Sequence, residues 1–197
     1  MKRGRGPREH IAHMAARLMA EDGISDFSMA KRKAARQLGY PESAGLPANT
    51  EVEAALRDYQ SIFQGEEQAD RLHCLREEAV AFMRLLEEFN PYLIGSVLSG
   101  TAGRHSDINL HLYTDDQKAV EYFLIGRGLA YRSSARRFRF PDAVRTVPIF
   151  EVPAENAAVQ IAVFSTDDLR LGPRDPVDGK AVRRAGIAAV EEMIGRG

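Results

Sequence analysis

Tryptophan is absent from the 197 residues and cysteine occurs once. No apolar run approaches the ~20 residues that a membrane-spanning helix requires. With Cys74 alone, no intrachain disulfide can form, which points to a reducing, cytoplasmic setting. Cys74 falls in a helical stretch, where the expected role is that of a small buried hydrophobe. Net charge is also lacking: 27 Lys and Arg against 28 Asp and Glu leave -1, so there is no global attraction to nucleic acid or to an acidic membrane. The basic N-terminus is followed by an amphipathic pattern containing Glu21 and Asp22, not by the apolar segment of a secretory signal. There is no internal repeat and no low-complexity tract.

What remains is an ordinary globular composition, 44% hydrophobic and 28% charged, long enough for one domain with an extension or two small domains. Charge is distributed unevenly. Residues 1–40 carry nine Lys and Arg against four acids, and residues 41–90 carry four against eleven. Residues 1–8 read as a disordered basic tail. A helical region over residues 9–89 follows. Its first helix has Ile11, Met14, Ala15 and Leu18 at helical spacing and ends before Gly23. Ser28 is the expected cap of a second, basic helix, and Thr50 with Glu53 forms the expected capping box of a third. A longer helix from about Gln68 to Phe89 carries Leu72, Leu75, Ala79, Phe82, Met83 and Leu86. The basic second helix offers a nucleic-acid interface through residues 1–40, or a reach by Lys31, Arg32, Lys33 and Arg36 toward a phosphate-bearing ligand.

From residue 90 the pattern changes. A helix is expected over Asp115–Gly126, with short strands at Leu129–Ser133, Phe138–Phe140, Thr146–Val152 and Ala158–Phe164. The result is an α+β fold: an α+β domain over residues 90–165 with a mixed sheet, then a loop and a C-terminal helix over residues 166–197, with helix from Lys180 to Ile194.

The informative stretch is NPYLIGSVLSGTAGRHSDINLHLY, residues 90–113. Ile94 leads into Gly95-Ser96, and the alternating run Asp107-Ile108-Asn109-Leu110-His111-Leu112 follows. In a strand, Asp107, Asn109 and His111 share one face while Ile108, Leu110 and Leu112 enter a core. The layout of a hydrophobic residue, Gly-Ser, a short gap, then Asp-hydrophobic-X-hydrophobic resembles the signature of the nucleotidyltransferase superfamily, the polymerase-beta-like fold. The resemblance implies transfer of a nucleoside monophosphate from a nucleoside triphosphate to an acceptor that the sequence does not identify. Mg²⁺ or Mn²⁺ is then held by carboxylates and stabilises charge at phosphorus. It makes Gly95 and Ser96 the phosphate turn and Asp107 the first metal ligand. Asn109 stands where a second acid is expected, and Gln160 is the best-aligned residue for a third. Glu151, in Ile149-Phe150-Glu151-Val152, is a carboxylate available as a substitute.

Two alternatives stay open. The domain is either a catalytically inactive binding or regulatory module, or a site rebuilt around Asp107, His111 and Glu151, where imidazole with carboxylate favours Zn²⁺ or Mn²⁺. Ser99, Thr101 and Arg104 are further candidates for phosphate contacts, as are Arg136, Arg137 and Arg139.

Overall fold

A computed structural model describes residues 6–24, 26–41, 45–63, 65–175 and 179–196. Most of the expected basic tail, residues 1–5, lies outside them. The described residues form an α+β structure that divides into two compact units. Those up to residue 69 and residues 103–106 make up the first, and the other described residues make up the second.

The first unit contains α1 (Pro7–Glu21), α2 (Phe27–Gln37) and α3 (Asn49–Phe63). Pro7 and Arg8, assigned to the tail by sequence, are already helical, because Pro suits the first helical turn where no backbone donor is needed. The cap of α2 is Asp26 rather than Ser28: its carboxylate accepts from Met29 N at 2.6 Å. The capping box expected from Thr50 and Glu53 is replaced by Glu51, which accepts from Ala48 N at 2.6 Å and pairs with Arg8. The core between these helices is alanine-rich (Ala12, Ala15, Ala16, Ala30, Ala34, Ala55), with Ile11, Val52 and Leu56 filling it. Small side chains let the helix backbones approach closely.

In the second unit, α4 (Gly65–Leu85) contributes its residues from 70 onward. After it come β1 (Tyr92–Ile94), α5 (Gly95–Ser99), β2 (Ile108–Tyr113), α6 (Gln117–Gly126), β3 (Arg132–Arg139), β4 (Val144–Val152), β5 (Val159–Phe164), α7 (Asp168–Leu171) and α8 (Ile187–Gly195). The strands form one sheet in the order β1-β2-β5-β4-β3, with β2 and β5 parallel and the other neighbours antiparallel. One face is covered by helices: Leu75 and Met83 of α4, Leu86 just after it, Val120 and Leu124 of α6 and Val190 of α8 pack with Leu93, Leu110, Ile161 and Phe150. The apolar stripe read along α4 is this buried face. Cys74 lies off it and is exposed, contrary to the expected buried role.

The two short strands expected at Leu129–Ser133 and Phe138–Phe140 are a single strand, β3, held in register along eight residues of β4. It is an edge strand, with every side chain exposed except Phe138. The C-terminal helix expected from Lys180 begins only at Ile187. The segment before it runs extended, Ala185 bridging Leu93 and Ala181 bridging Arg174. No helix among the described residues is long and apolar enough to cross a membrane.

Candidate functional site

The site is built from the β1–α5–β2 unit on the sheet face opposite α4, α6 and α8. Ile94 ends β1 in an extended conformation, and Gly95 turns the chain with φ +72°. That left-handed angle is what requires glycine here. A Cβ on Gly95 would sit 3.7 Å from Asn109 Cβ, an ordinary contact, so backbone angle and not space is the constraint. The Gly-Ser turn therefore lies directly against Asn109. At the other end of α5, Gly100 N and Thr101 N both donate to Ser96 O, and the hydroxyls of Ser99 and Thr101 bond each other at 2.9 Å. Those two hydroxyls finish the C-terminal end of α5, away from Gly95.

Strand register then aligns the key residues. Ile94 pairs with Asn109, Asn109 with Gln160, Gln160 with Glu151, and Glu151 with Arg132. Directly paired residues present their side chains on one face. The row therefore crosses all five strands, and Asp107 borders it just before β2. Gln160 Nε2 donates to Glu151 Oε2 at 2.9 Å and, more weakly, to Asp107 Oδ2 at 3.4 Å. Asn109 Nδ2 donates to the Asp107 carbonyl at 3.2 Å. Arg132 lies 3.7 Å from Glu151. The structure thus brings together Asp107, Asn109, Glu151 and Gln160. Arg132 was missed by sequence; only its rung opposite Glu151 identifies it.

The next rung pairs Tyr92, His111, Ala162, Ile149 and Ser134. His111 is 2% exposed and is surrounded by the rings of Tyr113, Phe138 and Phe164, the last at 4.6 Å between centroids. Burial, with Arg184 nearby, pushes its imidazole down to about 3, so it is neutral, and its Nδ1 has no hydrogen-bond partner among the described residues. A cleft of about 30 Å³ opens above these two rungs, lined among others by Ile94, Asn109, His111, Arg136, Phe138 and Gln160. That is room for about one water molecule or one ligand group. Arg136 is the arginine of the β3 run that reaches the cleft, whereas Arg137 and Arg139 alternate onto the opposite face.

The implied metal pair can be tested against this donor set. Among the described residues no three His, Cys, Asp or Glu side chains converge on one point. Two carboxylates share one amide donor, the remaining positions are amides, and His111 is enclosed by aromatic rings. As arranged, the residues do not fit a two-metal carboxylate site for Mg²⁺ or Mn²⁺. Arg104 and His105 belong to the first unit, where His105 packs against Gly23.

Two of the four basic residues of α2 are engaged locally. Lys31 Nζ donates to Pro47 O and Asn49 Oδ1, and Lys33 Nζ bonds Asp22 at 2.8 Å. A larger open concavity of about 440 Å³ in the first unit is lined by His10, His13, Met14, Arg17, Leu38 and Tyr59. Its Arg17 is already paired with Glu21, so it presents no concentrated charge.

Comparison with protein-family models finds no match to the chain, and comparison with curated proteins finds none.

Proposed function

We propose that the second unit is a nucleotidyltransferase-like domain that binds a nucleoside triphosphate on the sheet face that carries Asn109 and Gln160. The observation that carries this reading is the continuous row Ile94–Asn109–Gln160–Glu151, with Asp107 at its border and the Gly95–Ser96 turn against Asn109. On this reading the backbone at Gly95 and Ser96 receives phosphate oxygens, because glycine permits close approach. Arg136 and Arg132, on the same face, supply positive charge for the polyphosphate.

Thermal-shift measurements with each nucleoside triphosphate, in Mg²⁺, Mn²⁺, Zn²⁺ or chelator, test this on the wild type and on Asp107→Ala. A triphosphate-dependent rise in Tm that differs between the wild type and Asp107→Ala is the expected result. No rise under any condition would remove the nucleotide reading and direct attention to the first unit.

A second reading, transfer of the nucleoside monophosphate to an acceptor, is favoured by one observation: Asp107 and Glu151 converge on a single point, the amide nitrogen of Gln160. Release of pyrophosphate from a bound triphosphate separates it from binding alone.

A further inference from the structure

We propose that the carboxamide of Gln160 takes the place of a divalent cation between Asp107 and Glu151, so that the cleft binds its ligand without metal. This rests on the nucleotide-binding reading above and adds how the site balances its charge.

Carboxylates at neutral pH are acceptors only, and a glutamine NH₂ group carries two donor hydrogens. Turning the amide over would set its carbonyl oxygen against two acceptors, so the observed orientation is the one that the neighbours demand. Nε2 lies 2.9 Å from Glu151 and 3.4 Å from Asp107, giving each carboxylate one hydrogen. Arg132 adds a full positive charge 3.7 Å from Glu151. The nitrogen of Asn109 is turned to the Asp107 carbonyl. The cluster of Asp107, Glu151 and Arg132 therefore holds two negative charges and one positive, where a pair of divalent cations calls for three or more carboxylates.

A cation entering between Asp107 and Glu151 would have to displace the amide, break both hydrogen bonds and accept repulsion from Arg132. Amide nitrogen is not a ligand for hard cations, which take oxygen. In such a site the phosphate charge of a ligand falls to arginine, and Arg132 and Arg136 stand on alternate rungs of the same face of β3.

The test uses Mn²⁺ alone as the probe, read by its electron-spin resonance signal on the full chain without nucleotide. The wild type is expected to show no saturable binding that depends on Asp107. Gln160→Glu removes the donors and adds a third carboxylate. It is expected to bind Mn²⁺ at least about tenfold more tightly than wild type, since charge count tunes cation affinity, and to lose the gain when Asp107→Ala is added. If Gln160→Glu does not fold, Gln160→Asp also exchanges the donors for a carboxylate and is expected to raise Mn²⁺ affinity as well.

Saturable Mn²⁺ binding by the wild type, abolished by Asp107→Ala, would overturn the proposal. So would a folded Gln160 variant with no gain. Because nucleotide is absent, either outcome is separable from failure of the triphosphate thermal shift, which would count against the nucleotide reading instead.

Discussion

Asn109 and Gln160 stand opposite each other on the parallel strands β2 and β5, two amides at one rung of the sheet with a carboxylate on either side of Gln160. Glu151 accepts from Gln160 at 2.9 Å, and its contact to Arg132 is between side chains 39% and 89% exposed. Exposed pairs contribute about 0–1 kcal/mol. Glu151→Gln is expected to leave urea-denaturation stability within about 1 kcal/mol of wild type while changing the triphosphate thermal shift. A large loss of stability with an unaltered ligand shift would make Glu151 a structural residue only.

Gly23 and Gly95 both adopt left-handed angles, φ +69° and +72°, with different surroundings. A Cβ on Gly23 would lie 2.8 Å from the His105 ring, whereas one on Gly95 meets only ordinary contact distances. Gly95→Ala is expected to cost about 1–2 kcal/mol from backbone strain. Gly23→Ala should cost more, since His105 must also move. Chemical denaturation of the two variants compares them directly; equal losses would show that His105 yields freely.

His111 makes stability depend on pH. Its folded-state value, about 3, lies below the ordinary 6.5 because burial disfavours the charged ring. Below pH 6.5 the unfolded chain takes up a proton that the folded chain refuses. The contribution is therefore present above 6.5 and is lost as pH falls from 6.5 toward 3. The slope for one proton is at most about 1.4 kcal/mol per pH unit. His111→Phe should be close to neutral at pH 7, because it also removes an unpartnered polar atom, and more stable than wild type at pH 5. A stability difference that stays constant from pH 7 to 4 would contradict this assignment.

Arg145 lies 3.4 Å from the buried Asp168, bonds Asp142 and stacks over Phe140 at 4.3 Å. Removing the guanidinium leaves Asp168, 5% exposed, without that partner. Arg145 is itself 31% exposed, so the loss belongs between the surface and buried cases. Arg145→Ala is expected to lower stability more than the loss of an exposed ion pair does, measured by urea denaturation. No measurable loss would mean that water replaces the guanidinium at Asp168.

Cys74 is exposed on α4. An aromatic disulfide reagent should therefore label one thiol in the native protein at nearly the rate seen in denaturant. Strong native-state protection would restore the buried role expected from sequence.

Periodicity made much of this architecture legible. The stripe of α4 and the alternation Ile108, Leu110, Leu112 are buried as read, because a core imposes one spacing on a helix and another on a strand. The Gly-Ser turn and Asp107 were visible for the same local reason. Register was not: nothing within Arg132–Arg139 shows that Arg132 meets Glu151, or that Gln160 donates to two carboxylates, since both depend on which strands become neighbours. The aromatic surround of His111 was not legible either, because its strand face becomes aromatic one rung beyond Asn109, through Phe138 and Phe164 supplied from far along the chain. The extended run before α8 escaped because its partner, Leu93, lies on β1.

The open flank of β3 has a consequence for crowded solution. A lone outer strand can serve as a template on which another chain lays its own backbone. Here two copies placed flank to flank would bring Arg132, Arg136, Arg137 and Arg139 of one against the same four of the other. Such a contact repels itself, most strongly at low ionic strength where no counterions intervene. The outer strand is thereby a poor template for its own copy.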